Sequence, residues 1–288
     1  KMLCICKREI RSFFHSMIGW VFGAFLLLMA GIYFTAYNLQ NAYPLFGTTL
    51  SAVTFIFLIL VPVLTMKTIA EERKQKTDQL LLTAPVSVSE IVLGKFLAVA
   101  TVYAIPVLII CLYPMIMGKY GTVSYAMAYT AVLGFALLGF AQIAVGVFWS
   151  SVTENPVIAA VVTFIVLFVC YMITGIGSLI PDSSMASLAC YMLLVLLAAV
   201  WIYHMIRNLW IAAVIGIAGE AALAITYVVK STLFEGSIQK FLSVFDITSH
   251  FDNFTNGILD LQGVVYFLSV IIIFLVLTVQ TITKRRWN

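Results

Sequence analysis

Eight stretches of this chain, at 17–37, 47–69, 91–117, 125–149, 157–180, 186–203, 209–229 and 263–282, run for about 20 residues with almost no charge. Runs of that kind leave few folding options. Crossing about 30 Å of hydrocarbon takes about 20 mostly apolar residues, and a helix satisfies its own backbone N–H and C=O groups there. The expected fold class is an all-α integral membrane protein, a polytopic bundle of about eight transmembrane helices. Composition agrees, with 63% apolar residues, 10% charged and a mean hydropathy of +1.09, far from a soluble domain. The first run is too long for a removable signal and follows a charged amphipathic segment, so it is expected to stay in the mature protein.

The basic residues orient the bundle, since Lys and Arg beside membrane spans are retained on the cytoplasmic side. With the amino end inside, the 16 Lys and Arg separate sharply. Only Lys119, Lys230 and Lys240 fall outside; the others flank the inner ends. Both termini are therefore expected in the cytoplasm, which requires an even number of spans. The net charge of +4 follows from topology and implies no nucleic-acid partner. The five cysteines include no CxxC pair, and His15, His204 and His250 stand at no metal-ligand spacing, so no metal site is expected.

Residues 1–16 place apolar and basic residues at helical spacing. An interfacial helix is favoured over a frayed basic tail because Leu3, Ile10, Phe13 and Phe14 would otherwise face water. The longest inner polar stretch is 70–95. It is charged over 71–78, apolar at Leu80, Leu81 and Leu82, and interrupted by Pro85. Ser87-Val-Ser-Glu90 then fits the capping-box pattern just before an apolar run, so the third span is expected to start there. An exposed leucine triplet needs a cover, either the bilayer or a groove on another protein. Residues 230–262 carry Phe234, Ile238, Phe241, Leu242 and Phe245 at helical spacing and predict one or two amphipathic helices at the outer interface. Gly19-Trp-Val-Phe-Gly23 offers a close-approach surface for a dimer seam.

No G-x-x-x-x-G-K-[ST] or Rossmann glycine pattern occurs, so energy from ATP would have to come from a separate chain. The order Glu71-Glu72, a basic run, Asp78-Gln-Leu-Leu-Leu-Thr83, Ala84-Pro85, Ser89-Glu90-Ile-Val and Gly94-Lys95 resembles the cytoplasmic segment of ABC-2 type permeases. Residues 251–257, Ile258-Leu-Asp260, Tyr266-Phe-Leu-Ser269, Phe274-Leu-Val-Leu-Thr278 and Arg285-Arg286-Trp287 are similar to the gliding-motility and copper-enzyme-maturation branch of that family. The resemblance implies one transmembrane domain over 1–288. In it, Gln75, Lys76, Thr77, Asp78, Gln79, Leu80, Leu81 and Leu82 would form the coupling helix, supported by Glu71, Glu72, Arg73, Pro85, Glu90 and Lys95. Residues 1–16 would be the connecting helix and 230–262 the extracytoplasmic segment.

The resemblance also implies a multi-pass protein of the bacterial plasma membrane that works as an exporter. Its partners would be two copies of an ATPase carrying ATP and Mg, a second or similar permease, and an extracytoplasmic accessory subunit; no cofactor is expected in this chain. Members commonly have six spans, so the helices at 186–229 are an addition. Leu80, Leu81 and Leu82 would anchor the ATPase contact, with Arg73, Lys74, Lys76 and Asp78 at its polar rim.

Two polar residues inside spans are further candidates. Glu220, near the middle of the seventh run, must be neutral, paired or beside a wet cavity. Gln142 in the fourth suits an interhelical hydrogen bond. Two other functions compete with the permease. An ion-coupled secondary transporter needs polar groups at the midplane, where only Glu220 qualifies clearly. An intramembrane CAAX-type protease is suggested by Glu71-Glu72 and His204-x-x-x-Asn208. Lys76 stands where that motif needs arginine, and no FxxxH occurs.

Overall fold

The computed structural model describes residues 2–78, 86–206 and 209–287, with side chains for all of these except 201–206, 209–213, 215, 232, 286 and 287. The described residues form helices and no strands, giving an all-α polytopic membrane protein. By contact the chain divides into two compact units, 1–169 with 247–288 and 170–246.

In the first unit, α1 (Met2–His15) is amphipathic and turns Cys6, Glu9 and Phe13 inward, a spacing of three and four that defines one helical face. Next comes α2 (Met17–Tyr33), which runs into a π-helical turn, Phe34–Gln40. Buried Asn38 closes the turn beyond. Its amide donates to the carbonyls of Tyr43 (2.8 Å) and Leu45 (3.3 Å), and its oxygen accepts from Thr49 Oγ1 at 2.5 Å.

The run expected as one helix over 47–69 is two, α3 (Phe46–Thr54) and α4 (Phe57–Thr65), bent by 57°. The amides of Ile56, Leu58 and Ile59 bond three residues back, to Val53, Phe55 and Ile56, which tightens the helix locally. Pro62 has no N–H to donate back to the Leu58 carbonyl in the turn before it.

After α5 (Ala70–Lys74), helix α6 (Val88–Ile110) begins where the capping box placed it. Glu90 N–H donates to Ser87 Oγ at 3.3 Å, and Ser87 N–H donates to Glu90 Oε2 at 3.1 Å. A short α7 (Tyr113–Met117) completes the span Val88–Met117.

Helix α8 (Tyr125–Val152) is the centre of the unit: 72% of its apolar window is buried, against 22–50% for the other four long spans. Three glycines along it admit neighbours that a methyl group would exclude. Gly134 takes Phe254, Gly139 takes the Tyr103 ring and Gly146 takes Thr65. Tyr103, fully buried, donates from its hydroxyl to the Phe135 carbonyl at 2.7 Å.

Helix α9 (Pro156–Leu179) leads into the second unit. There α10 (Ser184–Ile206) and α11 (Leu209–Val229) pair closely, with Gly216 against Ala199 and Gly219 against Val195. A 3₁₀ turn, Ser231–Phe234, and α12 (Ser237–Ser243) close the unit through a ring cluster of Tyr191, Tyr227, Phe234 and Phe241. The helices expected over 230–262 are thus short. Phe234 and Ile238 are buried, whereas Phe241 and Phe245 remain exposed.

The chain returns to the first unit with α13 (Ser249–Thr255), whose Phe251 and Phe254 are buried on α8. It ends with α14 (Leu261–Trp287), packed along α8.

Among the described residues five helices are long and apolar enough to cross a membrane, six with the bent α3–α4 pair. The shorter apolar stretches Ser184–Val200 and Gly216–Val229 correspond to the two added runs. Gly19 does not offer the open seam expected of the G-x-x-x-G pattern. Its face meets the backbone of Phe13 in the same chain, while Gly23 has open space.

Candidate functional site

The polar segment after α4 leaves the bundle beside the end of α8, and a hydroxyl there stabilises the exit. Ser150 Oγ accepts from the amides of Ile69 and Ala70, both at 3.1 Å, and donates to the Met66 carbonyl at 3.2 Å. These amides open the first turn of α5 and have no intrahelical partner of their own. α5 is short because it ends in a Schellman motif. The Thr77 amide reaches Glu72 O (3.0 Å), the Lys76 amide reaches Arg73 O (3.1 Å), and Lys76 is left-handed at φ 56°. The helix expected over 75–82 therefore does not begin at Gln75; Gln75, Lys76 and Thr77 are a turn.

Two ion-pair branches tie this protrusion to the bundle. In the first, Lys95 is buried in α6, with its side chain 2% exposed. Its ammonium donates to the Thr68 carbonyl at 2.7 Å and pairs with Glu72 at 2.9 Å and Glu9 at 3.3 Å. Arg8 contacts both carboxylates, at 2.6 Å to Glu9 and 3.0 Å to Glu72. Burial works against the charge on Arg8, yet Glu9 and Glu72 outweigh it and raise the guanidinium pKa above its ordinary value.

In the second branch, Arg73 is turned inward with its side chain 7% exposed. It donates to the Ser151 carbonyl and pairs with Glu154 at 3.3 Å. Arg285, near the end of α14, pairs with Glu154 at 2.9 Å and approaches Asp78 at 4.0 Å. Burial first, then the Arg285 charge, lowers the pKa of Arg73, with Glu154 and Asp78 opposing.

A cavity of about 40 Å³ lies between the branches, lined by Glu72, Arg73, Asp78, Lys95, Arg285 and three isoleucines, Ile69, Ile91 and Ile282. The protrusion is thereby joined to α1, α6, α8 and α14 at once. Opposite charges are consumed in pairing, so the cluster is built to hold positions fixed. Among the described residues no group of three or more His, Cys, Asp or Glu could hold a metal ion.

The structure brings Glu72, Arg73, Asp78 and Lys95 together and leaves the other expected residues at the margins. Glu71 pairs with Lys67 at 3.7 Å and accepts from Gln75 at 3.5 Å. Thr77 bonds the Glu72 carbonyl, and Glu90 serves the α6 cap. Gln79, Leu80, Leu81, Leu82 and Pro85 lie outside the described residues, as do Asn208 and the side chain of His204. Arg73 and Asp78 do not stand at an outer rim as expected, because each is turned to a partner within the bundle.

Gln142 is 4% exposed in mid-α8, and its Oε1 has no hydrogen-bond donor among the described residues, so the expected interhelical bond is not made there. Glu220, half-buried in the second unit, has no hydrogen bond or ion pair among the described residues.

Sequence reasoning missed Arg8, Glu9, Ser150, Glu154 and Arg285 as members of the joint. Glu9 carried a signal: it is the one acid in α1 and shares the apolar face of Cys6 and Phe13. Lys95, set within an apolar run, carried another. Ser150 carried none, since a serine near a helix end has many fates.

A family model described as ABC-2 family transporter protein matches residues 3–285, and no curated protein matches the chain. With an all-α membrane bundle and a match over nearly its whole length, the chain belongs to the ABC-2 family of transporter proteins.

Proposed function

We propose that this membrane subunit of an ABC transporter is an exporter permease driven by a separate ATPase through the protrusion at 70–95. The single observation that carries this reading is the two-branched ion-pair joint around Lys95 and Arg73. A soluble motor moves a membrane domain only through an element that does not yield, and a short segment tied to four helices meets that need. Two ATPase copies, holding ATP and Mg, would close on nucleotide and displace the protrusions of two paired permeases. The pathway would then be reshaped between the permease copies.

In this reading the two compact units serve one transmembrane domain in the bacterial plasma membrane, with both termini cytoplasmic and 230–262 outside, available to an extracytoplasmic accessory subunit. The carboxyl-terminal motifs favour the gliding-motility and copper-enzyme-maturation branch. Leu80, Leu81 and Leu82 supply the apolar anchor. The test is replacement of all three by serine in the full chain. Membrane insertion should be retained while co-purification with the ATPase is lost; unchanged co-purification would refute the assignment.

A further inference from the structure

In sequence the run 71–78 is neutral, with Glu71, Glu72 and Asp78 set against Arg73, Lys74 and Lys76. The fold separates these charges. All three acids and Arg73 are taken up by partners within the chain: Lys67 for Glu71, Lys95 and Arg8 for Glu72, Arg285 for Asp78 and Glu154 for Arg73. Lys74 and Lys76 are exposed and make no ion pair among the described residues. Lys76 also occupies the left-handed position that ends α5, where glycine or asparagine is the ordinary choice. A lysine held in that conformation has its side chain aimed by a hydrogen-bonded turn.

We propose that Lys74 and Lys76 form a cationic prong that docks on an acidic surface of the ATPase subunit. This inference rests on the function proposed above and names the chemistry of its partner. Gln75 and Thr77, the exposed neighbours of the lysines in the turn, are polar, which suits a solvated protein surface; the apolar side chain exposed beside Lys74 is that of Val157, across the cleft. Concave surface flanks it on both sides, with a cleft of about 440 Å³ bordered by Lys74 and Asn155 and another of about 360 Å³ bordered by Thr77 and Ser12. Such relief suits a protein partner, whose carboxylates would gain direction from two lysines at fixed positions. Charges at the rim of an interface govern association rate and salt dependence, which makes the prong measurable.

The experiment uses the full chain in nanodiscs and the purified ATPase subunit whose ATP turnover the chain stimulates. Binding is measured from about 50 to about 500 mM salt, where screening of exposed charges becomes strong. Wild-type affinity is expected to fall steeply with salt. K74E/K76E should bind about tenfold more weakly at low salt and lose most of that dependence. K76G relaxes the left-handed turn while removing the charge, so it should keep the fold and still bind about threefold more weakly.

K74E/K76E binding within about twofold of wild type, or K76G binding as wild type does, would overturn the prong. Loss of binding on serine replacement of Leu80, Leu81 and Leu82 would in that event leave the ATPase assignment standing; retained binding there would remove both. If the lysine variants changed association only with anionic phosphatidylglycerol vesicles and not with the ATPase, the lysines would belong to the membrane surface and the proposal would fall.

Discussion

Replacing Lys95 with methionine keeps most of the side-chain volume and removes the ammonium. The loss is large because the site is dry: the lysine side chain is 2% exposed, and its partners Glu9 and Glu72 are 12% and 22% exposed. Glu72 loses its nearest cation, Glu9 loses the second of its two, and the Thr68 carbonyl loses its donor. Breaking a buried ion pair from one side costs about 3–5 kcal/mol. The low end, about 3 kcal/mol, applies here, since Arg8 still contacts both acids. For a unit of this size that corresponds to a fall of about 6–12 °C in the unfolding midpoint.

The assay is thermal unfolding of the detergent-purified chain followed by circular dichroism. A second variant, E9Q/E72Q/K95M, neutralises the stranded acids and should recover at least about half of the loss, because it removes the buried charges together and leaves unpaired only Arg8, whose side chain is 55% exposed. A K95M midpoint within about 1 °C of wild type, or a triple variant no more stable than K95M, would refute the argument that a buried cation holds this joint.

Ser150→Ala leaves the amides of Ile69 and Ala70 without their acceptor, a loss of about 1–3 kcal/mol; hydrogen exchange should quicken at 69–72 and stay unchanged at α13. Gly139→Ala drives a methyl group into the Tyr103 ring and should destabilise the bundle by about 1–3 kcal/mol in the same thermal assay, with Tyr103→Leu in the same chain relieving part of the clash. The Asn253 amide, with backbone amides of Gln262 and Gly263, holds the Asp260 carboxyl below its ordinary 3.8. A carboxyl that binds its proton less readily folded than unfolded contributes stability above its unfolded pKa, lost as acid protonates the folded form. Exchange protection at the start of α14 should accordingly hold at neutral pH and fall as pH drops through and below about 4, and Asp260→Asn should flatten that profile.

Local chemistry made much of the fold legible. Helix at 88–110 followed from a run of apolar residues and a serine and glutamate three apart, both of which act within one turn. α1 followed from apolar and basic residues at helical spacing, Leu3, Ile10, Phe13 and Phe14 among the apolar ones, although the face it buries is that of Cys6, Glu9 and Phe13, and Leu3 is exposed. The bend between α3 and α4 is not legible in the sequence because the two halves together still make one span-length apolar run, and hydropathy does not register a change of direction. The Gly19 surface failed for the opposite reason. Its spacing predicts a contact between chains, whereas the short link between α1 and α2 already places Phe13 against it.

What the sequence alone determined about this protein is its solvent: long uncharged runs demand helices in lipid. Which charges meet was decided by tertiary structure. Glu9 and Lys95 are 86 residues apart in the chain, and Arg285 and Glu154 are 131 apart. No periodicity encodes such pairs. They exist because packing of α1, α6, α8 and α14 brings opposite charges to one poorly solvated place, where an ion must be paired or neutral. The same packing leaves Lys74 and Lys76 facing outward from a segment whose charges sum to zero.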